Sequence, residues 1–244
     1  AFNRAQVSDI VTNMVDGLLE NDKYGNLIPS LAEDWKVSED GLTYTYTIRE
    51  GVKWYTADGE EYADVTAHDF VTSIKHAVDT KSEGLYIIQG SIAGLDDYVT
   101  GKSTDFETVG VKAVDDYTLQ YTLAKPEPYW NSKLTMSIML PVNAEFLESK
   151  GEDFGKVEPG GILYNGAFFI SSMTSKSSIE YTKNENYWDA DNVKIDNVKL
   201  TYYDGQDPES LIKGFTDGIY TNARVYPNTS SYASVKEQYG DNIY

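Results

Sequence analysis

A regular alternation of apolar and polar positions marks the centre of the first half of the chain. Between Leu42 and Ile48 the apolar and aromatic side chains alternate with threonines, a period of two that is typical of a half-buried strand. Asp40-Gly41 precedes this run and Glu50-Gly51 follows it, and both pairs are typical turn residues. The pattern therefore predicts a strand over 42–48 and a second short strand over 52–55.

Helical spacing follows directly after these strands. Thr66 stands three residues before Asp69, and the apolar residues beyond it recur at intervals of three and four. A hydroxyl followed by an acid at this spacing predicts a helix that begins with a capping box. Pro141 and Asn143 predict the start of another helix, which Gly151 ends.

Both ends of the chain carry further patterns of the same two kinds. Apolar residues at helical spacing predict a helix over 5–18. Strands are predicted over 109–114 and 118–123, and the alternation around Val198 predicts another. Asp207 and Pro208 have the residue types of a helix N-cap and first turn.

Composition narrows the class of partner. The 244 residues include 20 Lys and Arg against 39 Asp and Glu, a formal net charge of −19. Nucleic acids and anionic membrane surfaces attract an excess of cations, so neither is an expected partner. Two interpretations of the acidity stay open, namely solubility outside the cell and a field that attracts cationic peptides.

The chain contains no cysteine, which excludes disulfides, thiolate zinc sites and thiol nucleophiles. The two histidines, His68 and His76, lie eight positions apart on one predicted helix, too far for the usual metal-ligand spacing. Asp189-Ala190-Asp191 opens like a calcium loop, but Lys194 and Leu200 stand where that loop needs glycine and glutamate. No cofactor, no metal and no enzymatic activity are predicted.

A series of short motifs runs in order through the stretch 27–78. These motifs are Pro29, Leu31-Ala32-Glu33-Asp34-Trp35, Glu39-Asp40-Gly41, Ile48-Arg49-Glu50-Gly51-Val52, Asp58-Gly59 and Ala67-His68-Asp69-Phe70. Their order resembles the dipeptide- and oligopeptide-binding family of ABC-transporter solute receptors, of the streptococcal lipoprotein type. Asn184-Glu185-Asn186-Tyr187-Trp188 matches a later strand ending of the same family.

The resemblance implies a type II periplasmic-binding-protein-like α/β fold with an additional inserted domain, built on a mixed sheet with flanking helices. It implies a discontinuous first binding lobe from residues 1–28 and 164–244, with 29–163 inserted between them. The second binding lobe belongs to sequence beyond this chain, so the chain is expected to be a fragment. The resemblance also implies export and a lipid anchor on the outer face of a Gram-positive cell membrane, with the signal and anchor outside this sequence.

The function that the resemblance implies is capture of oligopeptides in a cleft between two lobes and delivery to the membrane subunits of an ABC importer. A receptor for many sequences gains affinity from main-chain pairing with an extended peptide. Relatives place four consecutive residues against the peptide, and three others lie near the cleft. The corresponding positions here are Asp16, Gly17, Leu18 and Leu19, then Tyr86, Asn165 and Gly166.

Several alternatives stay open at this stage. Gly17 has a second interpretation as a helix C-cap, which is compatible with contact to a ligand. Receptors of the same family take nickel complexes, haem or oligosaccharides instead of peptides. A surface adhesin whose acidic face contacts host molecules is an alternative of a different class.

Overall fold

The structure is a computed structural model that describes residues 10–156 and 160–240. Its strands are β1 (Leu19–Asn21), β2 (Leu27–Pro29), β3 (Ala32–Val37), β4 (Thr43–Ile48), β5 (Lys53–Tyr55), β6 (Glu61–Asp64), β7 (Val111–Asp115), β8 (Thr118–Thr122), β9 (Phe168–Thr174), β10 (Ser178–Lys183) and β11 (Asn197–Thr201). Its α-helices are α1 (Ala67–Asp79), α2 (Leu95–Val99), α3 (Trp130–Lys133), α4 (Ala144–Lys150), α5 (Pro208–Thr216) and α6 (Tyr232–Tyr239).

The strands form several separate antiparallel sheets within the described residues. The largest has the order β3-β4-β8-β7, and a three-stranded sheet has the order β11-β10-β9. Two strand pairs, β1-β2 and β5-β6, form two-stranded sheets. The predicted α/β class is confirmed, with antiparallel rather than mixed sheets within residues 10–156 and 160–240.

The alternation in β4 determines which of its side chains enter the core. Tyr44, Tyr46 and Ile48 are buried, whereas the threonines between them are not. Tyr46 meets Tyr121 of β8 edge-to-face with ring centroids 6.2 Å apart, and Tyr121 meets Trp130 in the same way at 5.2 Å. These aromatic contacts join the sheet to the following helix, because offset and edge-to-face rings pack favourably.

Helix α1 begins at the predicted cap. The backbone N–H of Thr66 donates to Oδ2 of Asp69 at 2.9 Å, and the indole N–H of Trp54 donates to the same oxygen at 3.0 Å. Phe70 and Ile74 are fully buried on the inner face of the helix. The predicted second helix is confirmed as α4, which Asn143 caps at its start and Gly151 at its end.

The helix predicted over 5–18 is wrong at its C-terminal end. Residues 5–9 lie outside the described part of the chain, residues 10–11 are helical, and residues 12–14 form turns. The carbonyl of Met14 accepts hydrogen bonds from the backbone N–H groups of Asn165 and Gly166 at 3.2 Å and 2.9 Å. In a continuous helix this carbonyl bonds to Leu18 instead, so a distant segment ends the helical turn.

The chain divides into two compact units. The first contains residues 1–174 and 178–200, and the second contains 175–177 and 201–244. Within the second unit, Ile212 of α5 and Val235 of α6 are buried. The lobe boundaries expected near residues 28 and 163 both fall inside the first unit, so the division into two units does not test them and they stay a prediction.

Candidate functional site

Three distant parts of the sequence meet around residues 14–18. The carbonyl of Gly17 accepts the N–H of Leu31 at 3.1 Å, and that of Leu18 accepts the N–H of Ala32 at 2.9 Å. On the other side, Asn165 and Gly166 donate to the carbonyl of Met14. The segment is therefore held by main-chain hydrogen bonds to the stretch before β3 and to the stretch before β9.

We call the meeting of residues 14–18, 30–32 and 165–166 the junction. The carboxylate of Asp16 joins a further stretch, Tyr187-Trp188, to it. Its Oδ2 accepts hydrogen bonds from the hydroxyl of Tyr187 at 2.8 Å, the indole N–H of Trp188 at 3.0 Å and the hydroxyl of Ser30 at 3.4 Å. Burial raises the pKa of Asp16 above 3.8, and the three hydrogen bonds oppose that rise. Because one carboxylate oxygen accepts all three hydrogen bonds, Asp16 links its own segment to Ser30 and to the Tyr187-Trp188 stretch.

Asn165 and Gly166 complete this arrangement. Oδ1 of Asn165 accepts the backbone N–H of Asp16 at 2.8 Å, and the side chain is almost fully buried. A Cβ on Gly166 would lie 2.7 Å from the carbonyl carbon of Met14, so only glycine fits this crossing. The structure thus brings Asp16, Asn165 and Gly166 together in contacts made within the protein, and their contact with a ligand stays a prediction.

The next three predicted residues differ in what they offer to a ligand. A Cβ on Gly17 would lie 3.2 Å from the carbonyl oxygen of Leu134, so the open side of this glycine faces the protein. Its φ angle is not positive, unlike that of a left-handed C-cap glycine. Leu18 and Leu19 are buried in the core. Because the carbonyls of Gly17 and Leu18 already accept the N–H groups of Leu31 and Ala32, only the remaining main-chain groups of this segment are left for pairing with a ligand.

Tyr86 lies apart from this junction. It belongs to the short 3₁₀ helix Glu83–Ile87, and 77% of its surface is exposed. It makes none of the contacts that join Asp16 to Asn165 and Gly166.

Charged groups of Arg49 and Glu20 also lie at the junction, although the sequence did not indicate them as site residues. The guanidinium of Arg49 lies over the ring of Trp188 at 4.0 Å, a cation–π contact. Burial raises the pKa of Glu20 above 4.5, and the negative charges of Asp16 and Asp189 add to that rise. A signal was available for Trp188, because it ends the Asn184–Trp188 motif. Ser30 and Glu20 have no comparable local signal.

The described residues offer no metal centre. Within 10–156 and 160–240 no group of three His, Asp or Glu side chains could hold a metal ion. His68 instead pairs with Asp116 at 3.3 Å, and the ring of His76 meets Phe154 edge-on. No helix in the part of the chain that the structure describes is long and apolar enough to span a membrane.

Comparison with known proteins identifies the family. Residues 26–243 match the family described as bacterial extracellular solute-binding proteins, family 5, middle. The chain belongs to this family. Because the match includes β2 through α6, nearly all of the described elements are those of a family 5 solute-binding protein.

The most similar relatives include oligopeptide-binding proteins. The chain is 66% identical over 243 residues to the oligopeptide-binding protein AliB of Streptococcus pneumoniae, covering 100% of this chain and 37% of AliB. It is 61% identical to the oligopeptide-binding protein AmiA of the same species, covering 96% of this chain and 36% of AmiA. The chain thus spans little more than a third of the length of these relatives.

A solved structure supports the fold of this family 5 chain. The structure of Listeria monocytogenes OppA bound to peptide superposes with a TM-score of 0.84 at 31% identity, covering 98% of this chain and 45% of that protein. The expectation of a solute-binding fold, drawn from the short motifs, is confirmed.

Proposed function

We propose that this chain is part of an extracellular receptor that captures oligopeptides and delivers them to an ABC importer. The relatives named above are oligopeptide-binding proteins, and one solved neighbour is bound to peptide. The partners are then the peptide and the membrane subunits of the transporter. The receptor catalyses no reaction, uses no cofactor, and meets the membrane only through a lipid anchor outside this sequence.

The observation that best supports this proposal is the pairing of strand β1. Strand β1 (Leu19–Asn21) pairs with β2 on one edge, and its other edge has no strand partner among residues 10–156 and 160–240. An open edge presents unpaired main-chain donors and acceptors that an extended peptide can complete. Because such pairing uses backbone groups, it accepts many peptide sequences.

The predicted site residues take different roles in this proposal. Leu19, in β1, presents its backbone to the peptide, and Gly17 and Leu18 present only their N–H groups, because their carbonyls are already bonded to Leu31 and Ala32. Asp16, Asn165 and Gly166 hold that backbone in place. Tyr86 is the candidate for side-chain contact, because its exposed ring supplies contact area at a small entropy cost.

We also propose that residues 1–28 and 164–244 form one binding lobe and that 29–163 is inserted into it. The hydrogen bonds from Asn165, Gly166 and Phe168 to the carbonyls of Met14 and Asn13 support the first part of this assignment. The stretch around Ser30 and Ala32 is also bonded to the same segment, as expected where an insertion begins.

Isothermal titration calorimetry with backbone-methylated peptides tests this proposal. In a strand, alternate N–H groups point to the same neighbour, so methylation of one alternate set blocks pairing and methylation of the other set does not. We expect one methylated peptide to lose binding and its counterpart to keep it. Equal binding of both would show that main-chain pairing does not hold the peptide.

The measurement is made on this chain and on a chain extended to the length of its relatives. The loss of two or three charged or main-chain hydrogen bonds, at ~1–3 kcal/mol each, weakens binding about a hundredfold or more. We therefore expect the extended chain to bind tightly and this chain to bind feebly. Equal affinities would place the whole site within these 244 residues.

A further inference from the structure

A cavity of about 120 Å³ lies beside helix α1, apart from the hydrogen bonds of Asp16. Its wall includes His76 and Ala77 of α1, together with Val15, Trp54 and Phe154 from other parts of the chain. Apolar cavities of about 150 Å³ remain dry and accept a benzene-sized molecule. This volume is therefore suited to a single six-membered ring.

The described part of the lining disfavours charged ligands. The chain has 20 Lys and Arg and 39 Asp and Glu, yet none of the described residues that line the cavity is one of these four types. Transfer of a charge from water into such a space has a high free-energy cost unless an opposite charge pairs with it. A ligand that fits this wall is neutral and mostly apolar.

His76 offers one polar contact. Its ring meets Phe154 edge-on, with centroids 5.3 Å apart, and makes no hydrogen bond to another described residue. Burial lowers the pKa of His76 below 6.5, so the imidazole is neutral at pH 7 and one nitrogen is an acceptor. Nearby polar atoms are engaged, since Ser73 donates to the carbonyl of Ile138 at 3.4 Å.

We propose that this cavity binds the ring of a neutral phenol, with the phenol hydroxyl donating to the imidazole of His76. The ring packs among the apolar side chains and against the edge of Phe154. A free small phenol and the side chain of a tyrosine in a peptide carry the same chemistry. The site is independent of the main-chain pairing proposed for β1.

Calorimetric titration with p-cresol and toluene tests the proposal, since the two ligands differ by one hydroxyl. One hydrogen bond of ordinary strength corresponds to about a fivefold preference for p-cresol. The ring C–H signals of His76, followed by NMR, should shift with p-cresol at the same concentrations. Failure of both ligands to bind the folded chain at millimolar concentration would overturn the proposal.

Two variants and one control locate the site. His76→Leu removes the acceptor and keeps the space apolar, so p-cresol and toluene should bind equally. Ala77→Leu fills the space and should abolish both. His68→Leu is the matched control, because His68 lies on the same helix but is exposed and paired with Asp116, and it should change neither affinity. A preference for p-cresol that survives His76→Leu would refute the assigned contact, even where Ala77→Leu does not fold.

N-acetyltyrosinamide distinguishes the two sources of the ring. It carries the phenol on a single peptide unit. Competition with p-cresol assigns the cavity to a peptide side chain, whereas exclusion of N-acetyltyrosinamide together with binding of p-cresol assigns it to a free small phenol.

Discussion

The buried carboxylate at the start of helix α1 makes a quantitative prediction possible. Asp69 is 4% exposed, and its Oδ2 accepts both the N–H of Thr66 and the indole N–H of Trp54. Burial raises its pKa from 3.8 to about 6, despite these hydrogen bonds. Asp69→Asn keeps one oxygen at the position that accepts both bonds and removes the charge.

The sign of the effect follows from proton binding. Because the folded state holds this proton more tightly than the unfolded state, the contribution of Asp69 to stability falls as the pH rises from about 4 to about 6. A difference of about two pKa units corresponds to roughly 3 kcal/mol. We therefore expect Asp69→Asn to gain up to roughly 3 kcal/mol relative to the wild type between pH 4 and pH 7.5.

Urea unfolding of both proteins at pH 4 and pH 7.5 measures this quantity as a difference of differences. The comparison cancels the titration of the other carboxylates, which both proteins share. Asp58→Asn is the matched control, since it removes an equal charge from an exposed turn and should show no such gain. The reasoning is refuted if Asp69→Asn and Asp58→Asn depend on pH in the same way.

Two further predictions concern backbone fit and buried charge. Gly90 and Gly94 have φ angles of +74° and +71°, so alanine at either position should lower the free energy of unfolding by about 1–2 kcal/mol. At Gly94 the new Cβ would also lie 2.2 Å from the carbonyl oxygen of Thr108, so urea unfolding of Gly94→Ala should show a further loss of ~1–3 kcal/mol. Lys133 pairs at 2.9 Å with Glu127, which is 3% exposed, so Lys133→Met should cost ~3–5 kcal/mol and lower the melting temperature. Adding Glu127→Gln to Lys133→Met should recover most of that loss, and the absence of any recovery would contradict the explanation by an unpaired buried charge. Equal stability of Gly90→Ala and Gly94→Ala would contradict the predicted clash with Thr108.

Local signals were sufficient for most strands and helix starts. The period of two over 42–48 predicted β4, because one face of that strand is buried and the other is not. The residue types at Asn143, Gly151 and Asp207 predicted helix ends, because their side chains or backbone freedom satisfy groups that the helix leaves open. These features depend on neighbours within a few positions, so a single sequence contains them.

The end of the first helix could not be predicted in this way. The carbonyl of Met14 and the N–H of Asp16 bond to Asn165, about 150 positions away. The residues at 5–18 contain no pattern that indicates those distant partners, so the end of the helix could not be predicted from them. The same limit applies to the candidate site, where the sequence indicated Asp16 but not the hydroxyl of Ser30 or the role of Tyr187.

The double role of the junction determines how mutations in the candidate site must be interpreted. Asp16→Ala removes an acid that a peptide could contact, but it also leaves the buried donors of Tyr187 and Trp188 without their acceptor. An unsatisfied buried donor costs ~1–3 kcal/mol, so lost binding in that variant would not distinguish contact from support. Tyr187→Phe separates the two, because it removes one donor and leaves the carboxylate in place. If peptide affinity falls in Tyr187→Phe while the fold persists, Asp16 acts by holding the backbone of Gly17 to Leu19 rather than by touching the ligand.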